Sequence, residues 1–226
     1  MTSVLFLGNS ATYCSAMPQM FRLICENRGR DVSVRQLTRG GYTLERYLDP
    51  ADPGGAKLDE LLAEESHFDL IFLQELTTLP ATDPARYAES LGRMREKLMP
   101  LGARFVLYQT IARAEGHPDL IKLGLTRRAM AEATAAACAE MGRRYRCAVS
   151  PVGTAFERLA VTHPDLRLYY MDNAHPSAAG SYLIALCHYA TAFGDDPTLV
   201  TYRLPQIDEE SAKILRRAAR DAVLGG

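Results

Sequence analysis

Short apolar runs alternate along this chain with longer stretches whose apolar positions recur at helical spacing. That alternation is the pattern of a parallel sheet covered by helices on both faces. Residues 4–7 predict a first strand, and 18–28 a helix that Gly29 is placed to end. Residues 32–37 predict a second strand, followed at Thr38-Arg39-Gly40-Gly41-Tyr42 by a turn whose glycines let the backbone approach a ligand closely. The prolines and glycines of 49–55 read as a loop ahead of a helix over 58–65. A third strand over 68–73 is bounded by Gln74 and Glu75, a helix over 84–99 stops at Pro100, and 104–108 predicts a fourth strand. The longest helical stretch, 120–143, contains Gly124 as an interruption. A short fifth strand over 147–149, a helix over 152–160, a helix opening on Pro176 and running to about Phe193, and a polar helix over about 208–223 complete the series. With no internal repeat or change of composition, residues 1–226 are expected to form one α/β domain.

Composition removes several classes of function. The 26 Lys and Arg against 27 Asp and Glu leave no broad field, so neither nucleic acid nor an anionic membrane surface is expected as a partner. Five cysteines (14, 25, 138, 147 and 187) form no C-x-x-C pair, and several fall in apolar helical surroundings, which favours a reducing compartment. The first predicted strand begins almost at Met1, with no basic leader or apolar signal core, and no apolar run reaches membrane-spanning length. A cytoplasmic location is therefore expected. The five histidines are scattered without ligand spacing, and G-x-G-x-x-G, G-x-x-x-x-G-K, H-E-x-x-H and G-x-S-x-G do not occur. No metal or cofactor is expected, and nothing in the sequence sets the oligomeric state.

The chemistry lies in residues that this topology brings to one rim. Ser10 follows the first strand, Gly40-Gly41 the second and Gln74 the third, so in a right-handed parallel sheet all three reach the carboxyl edge. Asp172 stands three residues before His175 in a turn, where it can hold one ring nitrogen and leave the other to take a proton. Ser10 is expected as nucleophile, His175 as general base and Asp172 as orienting acid. Attack on an ester places negative charge on the carbonyl oxygen, and the backbone amides of Ser10 and Gly41 with the side-chain amide of Gln74 are the expected donors. Asn9, Gln109 and Thr110 are expected as substrate contacts, and the loops 49–55 and 112–119 as walls of the cleft. Plainer readings stand beside these. Ser10 could be a turn or cap residue, Asp172 a cap on the helix opening at Pro176, Glu75 a solvated acid and Cys14 a small core residue. His67, His117, His163 and His188 read as surface or core histidines.

Gly8-Asn9-Ser10, the glycine after the second strand and Asp172-x-x-His175-Pro176 together resemble the SGNH, or GDSL-type, hydrolase superfamily. Gly8-Asn9-Ser10-Ala11-Thr12 with Met17-Pro18, and Leu73-Gln74-Glu75, narrow the likeness to one bacterial branch, over residues 3–193. The resemblance implies a flavodoxin-like three-layer αβα sandwich with a parallel five-stranded sheet. It also implies a serine esterase working through an acyl-enzyme, with Ser10, His175 and Asp172 as its triad. Its substrate would be a small-molecule ester, such as the acetyl ester of a carbohydrate or other metabolite. Two departures stand out. The usual Gly-Asp-Ser is Gly8-Asn9-Ser10, and no asparagine occurs between Asn27 and Asn173 to act as the third-block oxyanion donor, so Gln74, one methylene longer, is expected in that place. An acyltransferase with the same triad, or a binding module that keeps the fold without turnover, are the alternatives.

Overall fold

The computed structural model describes residues 1–225. Strands β1 (Thr2–Gly8), β2 (Val32–Thr38), β3 (Leu70–Leu73), β4 (Arg104–Tyr108) and β5 (Ala148–Ser150) form one all-parallel sheet in the order β2-β1-β3-β4-β5. Helices α1 (Ser10–Tyr13) and α2 (Met17–Asn27) follow β1, and α3 (Leu44–Leu48) and α4 (Pro53–Glu64) follow β2. Helices α5 (Leu79–Thr82) and α6 (Pro84–Leu98) follow β3, while α7 (Pro118–Leu123) and α8 (Arg127–Tyr145) follow β4. After β5 come α9 (Val152–Thr162), α10 (Ala178–Phe193) and α11 (Glu209–Val223).

The central strand β1 explains the layering. Its side chains alternate, so Val4 and Phe6 enter a core shared with Phe21 and Ile24 of α2, Phe156 of α9, Leu186 of α10 and Leu215 of α11. Leu5 and Leu7 point the other way, against Tyr47 of α3, Leu58 of α4, Met94 of α6 and Met141 of α8. Burial on both faces is why this strand reads as an unbroken apolar run. The result is a three-layer αβα sandwich. The chain winds from β1 to β2 over one face and from β2 to β3 over the other, which opens a crevice above the carboxyl ends of β1 and β3.

Local chemistry moves some predicted boundaries. Gly29, at φ +70°, ends α2 with a pair of bonds from the Gly29 amide to the Glu26 carbonyl and from the Arg30 amide to the Cys25 carbonyl. Gly124, at φ +64°, splits the long helical stretch into α7 and α8, the second capped by Thr126. The expected loop 49–55 is already helical from Pro53, with Asp52 accepting from the Gly54 amide. Gly54 and Gly55 serve close approach there: a Cβ on the first would stand 2.3 Å from the Tyr42 ring, and on the second 1.8 Å from the Asp49 carbonyl oxygen. Pro176 does not open α10; it bridges to Tyr169 as extended backbone, and Ser177 caps the helix through the Gly180 amide. Among the described residues, no helix is long and apolar enough to cross a membrane.

Candidate active site

Ser10 lies where β1 breaks into α1. Asn9 is the extended N-cap and its side-chain oxygen accepts from the Ala11 amide at 3.3 Å, which makes Ser10 the first helical residue. The Ser10 amide consequently has no acceptor within the helix. The Ser10 hydroxyl is 2.9 Å from His175 Nε2, and His175 Nδ1 is 2.6 Å from Asp172 Oδ2. The other oxygen, Asp172 Oδ1, accepts from the amides of Ala174 and His175, each at 3.0 Å. Asp172 therefore caps its own turn and not the following helix. Desolvation pushes its carboxyl pKa up, but the His175 amide, the His175 ring and the Ala174 amide outweigh that and bring it down to about 2. A carboxylate can only accept, so Nδ1 carries the ring proton and Nε2 presents its lone pair to Ser10.

The turn is braced from outside. Tyr169 bridges Pro176, the Tyr170 amide donates to the His175 carbonyl at 2.9 Å, and Asn173 takes φ +55°, a conformation asparagine tolerates better than most residues. The Ala114 amide donates to the Asn173 carbonyl and the Tyr169 hydroxyl to the Ala112 carbonyl, both at 2.9 Å. The start of the 112–119 segment thus supports the acid-histidine turn. The Tyr170 hydroxyl lies 2.8 Å from that of Ser15, which ties the turn to the segment carrying Ser10. In that segment Ser15 and Ala16 are both left-handed, at φ 50° and 55°. Such strain costs about 1–2 kcal/mol per residue and sits one turn from Ser10.

The proposed oxyanion donors divide. Gly41 stands at φ +69° in a turn closed by the Tyr42 amide on the Arg39 carbonyl, the sign pattern of a type II turn, and open space lies where its Cβ would be. Gln74 is directed elsewhere. It is buried, its Oε1 accepts from the Asn9 amide at 2.9 Å and the Thr12 hydroxyl at 2.6 Å, and its Nε2 donates to Asn9 Oδ1 at 2.7 Å and to the Glu75 carbonyl at 3.1 Å. Both amide hydrogens are committed, so Gln74 braces the turn beneath Ser10 and has none left to donate elsewhere.

The three expected substrate contacts are likewise buried. Asn9 also donates to the carbonyls of Tyr42 at 3.0 Å and Glu75 at 3.4 Å. Gln109 exchanges two 3.1 Å bonds with the Thr154 hydroxyl, and the Thr110 hydroxyl donates to the Thr77 carbonyl at 3.3 Å. Each sits near the carboxyl rim with its side chain spent inside the protein. Glu75 is not a solvated acid: it is 2% exposed, burial raises its pKa, and it accepts from the amides of Leu76 and Leu44 and from the Ser90 hydroxyl. Burial first, and then the charge of Asp172, push the Cys14 thiol pKa up, away from a thiolate role.

Sequence reasoning missed Thr12 and Tyr47, whose hydroxyl donates to the Gly8 carbonyl at 2.8 Å. The one signal for this packing was Gly8, where a Cβ would stand 2.6 Å from Gln74 Oε1 and 2.7 Å from Thr12 Oγ1. Among the described residues, no group of three or more His, Cys, Asp or Glu is arranged to hold a metal ion.

No protein-family model and no curated protein matches the chain. Solved structures do match. A protein of Slackia heliotrinireducens assigned to the SGNH hydrolases is 33% identical, with a TM-score of 0.74, over 84% of this chain and 98% of its own. A DUF4886 family protein from Bacteroides uniformis, 21% identical, shares the fold at a TM-score of 0.85 over 99% of this chain and 95% of its own. The fold also recurs in an acetylxylan esterase from Geobacillus stearothermophilus, 16% identical, at a TM-score of 0.65 over 85% of this chain and 94% of that one.

Proposed function

The chain belongs to the SGNH hydrolase superfamily, and we propose that within it the protein is a serine esterase cleaving small acyl esters, acetyl above all, of a carbohydrate or other metabolite. The observation that carries this reading is the continuous relay from Asp172 through His175 to the Ser10 hydroxyl, with contacts of 2.6 and 2.9 Å. Ser10 Oγ attacks the ester carbonyl carbon while His175 Nε2 takes its proton, and the π electrons of the carbonyl move onto oxygen. The amides of Ser10 and Gly41 receive that oxyanion, without Gln74. Collapse of the tetrahedral intermediate breaks the bond to the alcohol oxygen, which leaves with the proton held by His175. Water then attacks the acyl-serine, giving its proton to His175, and the second collapse releases the acid and restores the Ser10 hydroxyl.

Asp172 keeps its charge throughout, because its pKa is held at about 2. Its function is to fix the tautomer and orientation of the ring and to stabilise the imidazolium that forms. The acyl preference draws on the acetylxylan esterase that shares the fold. The test is a panel of 4-nitrophenyl acetate, butyrate and octanoate on wild type and Ser10→Ala, with intact-mass detection of Ser10 labelling by a sulfonyl fluoride. Hydrolysis that declines with acyl length, vanishes in Ser10→Ala and is blocked by a single covalent adduct is expected. Hydrolysis that survives Ser10→Ala would overturn the mechanism.

A further inference from the structure

A groove of about 500 Å³ lies between the start of α2 and the edge strand β2. Its walls are Tyr13, Ala16, Pro18 and Gln19 on one side and Val34, Gln36 and Thr38 on the other. Residues 34, 36 and 38 share one face of β2 because side chains alternate along a strand. Two of its lining residues stand close to Ser10 along the sheet and the chain. Thr38 pairs in register with Gly8, two residues before Ser10. Tyr13 stands three residues after Ser10 in the same helical turn, a spacing that sets side chains about 5–6 Å apart at Cβ.

Its chemistry is specific. None of its walls carries a charge, and Arg22, three residues past the wall residue Gln19, is bound to Glu26 while donating to the Gln19 side-chain oxygen at 3.1 Å. Among the described residues, the Tyr13 hydroxyl, the Gln36 amide and the Thr38 hydroxyl form no hydrogen bond. Tyr13 also leaves 40% of its surface open. A broad aromatic face with unspent amide and hydroxyl groups in a neutral groove suits a neutral, hydroxyl-rich ring. It offers an anion no counter-charge. The left-handed backbone of Ser15 and Ala16, pinned by the Ser15–Tyr170 contact, fixes the wall on the α2 side.

We propose that this groove binds the alcohol half of the substrate as a carbohydrate ring, with Tyr13, Gln36 and Thr38 as specificity-determining residues. The inference rests on the serine esterase reading for the position of the scissile bond. It predicts that the sugar leaves toward β2 and that the acyl group occupies the other side of Ser10.

The experiment compares a mono-O-acetylated disaccharide with vinyl acetate, whose alcohol half is too short to reach the groove, on wild type and the double variant Gln36→Ala/Thr38→Val. The ratio of kcat/KM for the sugar ester over vinyl acetate should fall about tenfold or more in the variant, as expected for two lost hydrogen-bonding groups. Tyr13→Leu should shift the ratio in the same direction. Calorimetric binding of the acetylated disaccharide to Ser10→Ala should weaken in parallel when the double variant is added. If wild type hydrolyses both esters and the ratio stays within twofold, the groove assignment is overturned while the esterase reading stands. If wild type hydrolyses neither, the esterase reading fails and calorimetry decides the groove: disaccharide binding lost in the double variant supports it, and binding that is unchanged or absent from the start overturns it.

Discussion

Replacing Gln74 with alanine separates two roles that would both make the residue important. As a brace, its loss orphans the buried Asn9 amide and the buried Thr12 hydroxyl, which donate to Oε1 at 2.9 and 2.6 Å. Leaving a buried donor unsatisfied costs about 1–3 kcal/mol, and the two together, with the small void, give about 3–5 kcal/mol. The other atoms are partly spared: Asn9 Oδ1 keeps the Ala11 amide and the Glu75 carbonyl keeps Asn9 Nδ2. For a chain of 226 residues that loss lowers Tm by roughly 6–20 °C. As an oxyanion donor, by contrast, its removal would cost about 10²–10³ in turnover and little stability. Urea unfolding followed by circular dichroism, with kcat on 4-nitrophenyl acetate well below the lowered Tm, reads both quantities. The brace predicts the large stability loss, with turnover of the folded enzyme falling less than about tenfold. A variant within about 1 kcal/mol of wild type whose turnover drops a hundredfold would refute the reasoning and restore Gln74 as the donor.

Three further outcomes follow from the same contacts. Asn9→Asp, which writes the usual Gly-Asp-Ser, aims a buried acceptor at the carbonyls of Tyr42 and Glu75, so it should lower stability by about 2–4 kcal/mol at pH 8. Burial raises the new carboxyl's folded pKa, so the deficit should shrink toward pH 5, and equal unfolding midpoints at both pH values would contradict it. Asp172→Asn removes the acceptor that fixes the His175 tautomer; because the acid is half exposed, kcat should fall by about 10²–10³, less than for a buried triad acid, with unchanged circular dichroism. His188 is fully buried against Phe6, Phe72 and Tyr108, and desolvation lowers its pKa from 6.5 to about 3. The unfolded chain then binds the proton first, so the stability this group contributes is complete above pH 6.5 and is lost as pH falls toward 3. About 2 kcal/mol should be gone at pH 5, a loss that His188→Asn should not show in urea midpoints at pH 8 and 5.

How far the sequence carried depends on the kind of information each feature needs. The order of strands and helices was legible because each strand's identity is written locally, in runs such as Val4 to Leu7, and a right-handed parallel sheet then fixes which chain ends share a rim. Ser10, Asp172 and His175 were legible as candidates for the same reason: their positions at the ends of elements, and the short Asp-to-His spacing, bring them to one edge without any knowledge of packing. The glycines at 54 and 55 misled because composition alone cannot tell a loop from a helix whose first turn presses against a ring and a carbonyl. Asn9, Gln109 and Thr110 misled more deeply. Polarity at a rim suggests exposure, but each is satisfied by a partner 33 to 65 residues away, through Gln74, Thr154 and Thr77.

The same point alters how the two departures from the superfamily's usual blocks should be understood. In the sequence, Asn9 and Gln74 stand as two separate departures, in blocks more than 60 residues apart. In the folded chain they are hydrogen-bonded to each other twice, the Asn9 amide to Oε1 and Nε2 to Asn9 Oδ1. The side chain at position 9 both accepts from Gln74 and donates to two carbonyls, which an ionised aspartate cannot do. A side chain as long as glutamine at position 74 in turn needs the space left by Gly8. The three residues are therefore one physical solution: a neutral amide pair packed against a glycine holds the turn that carries Ser10, which under the proposed mechanism leaves the charge of the reaction to the Ser10 and Gly41 amides.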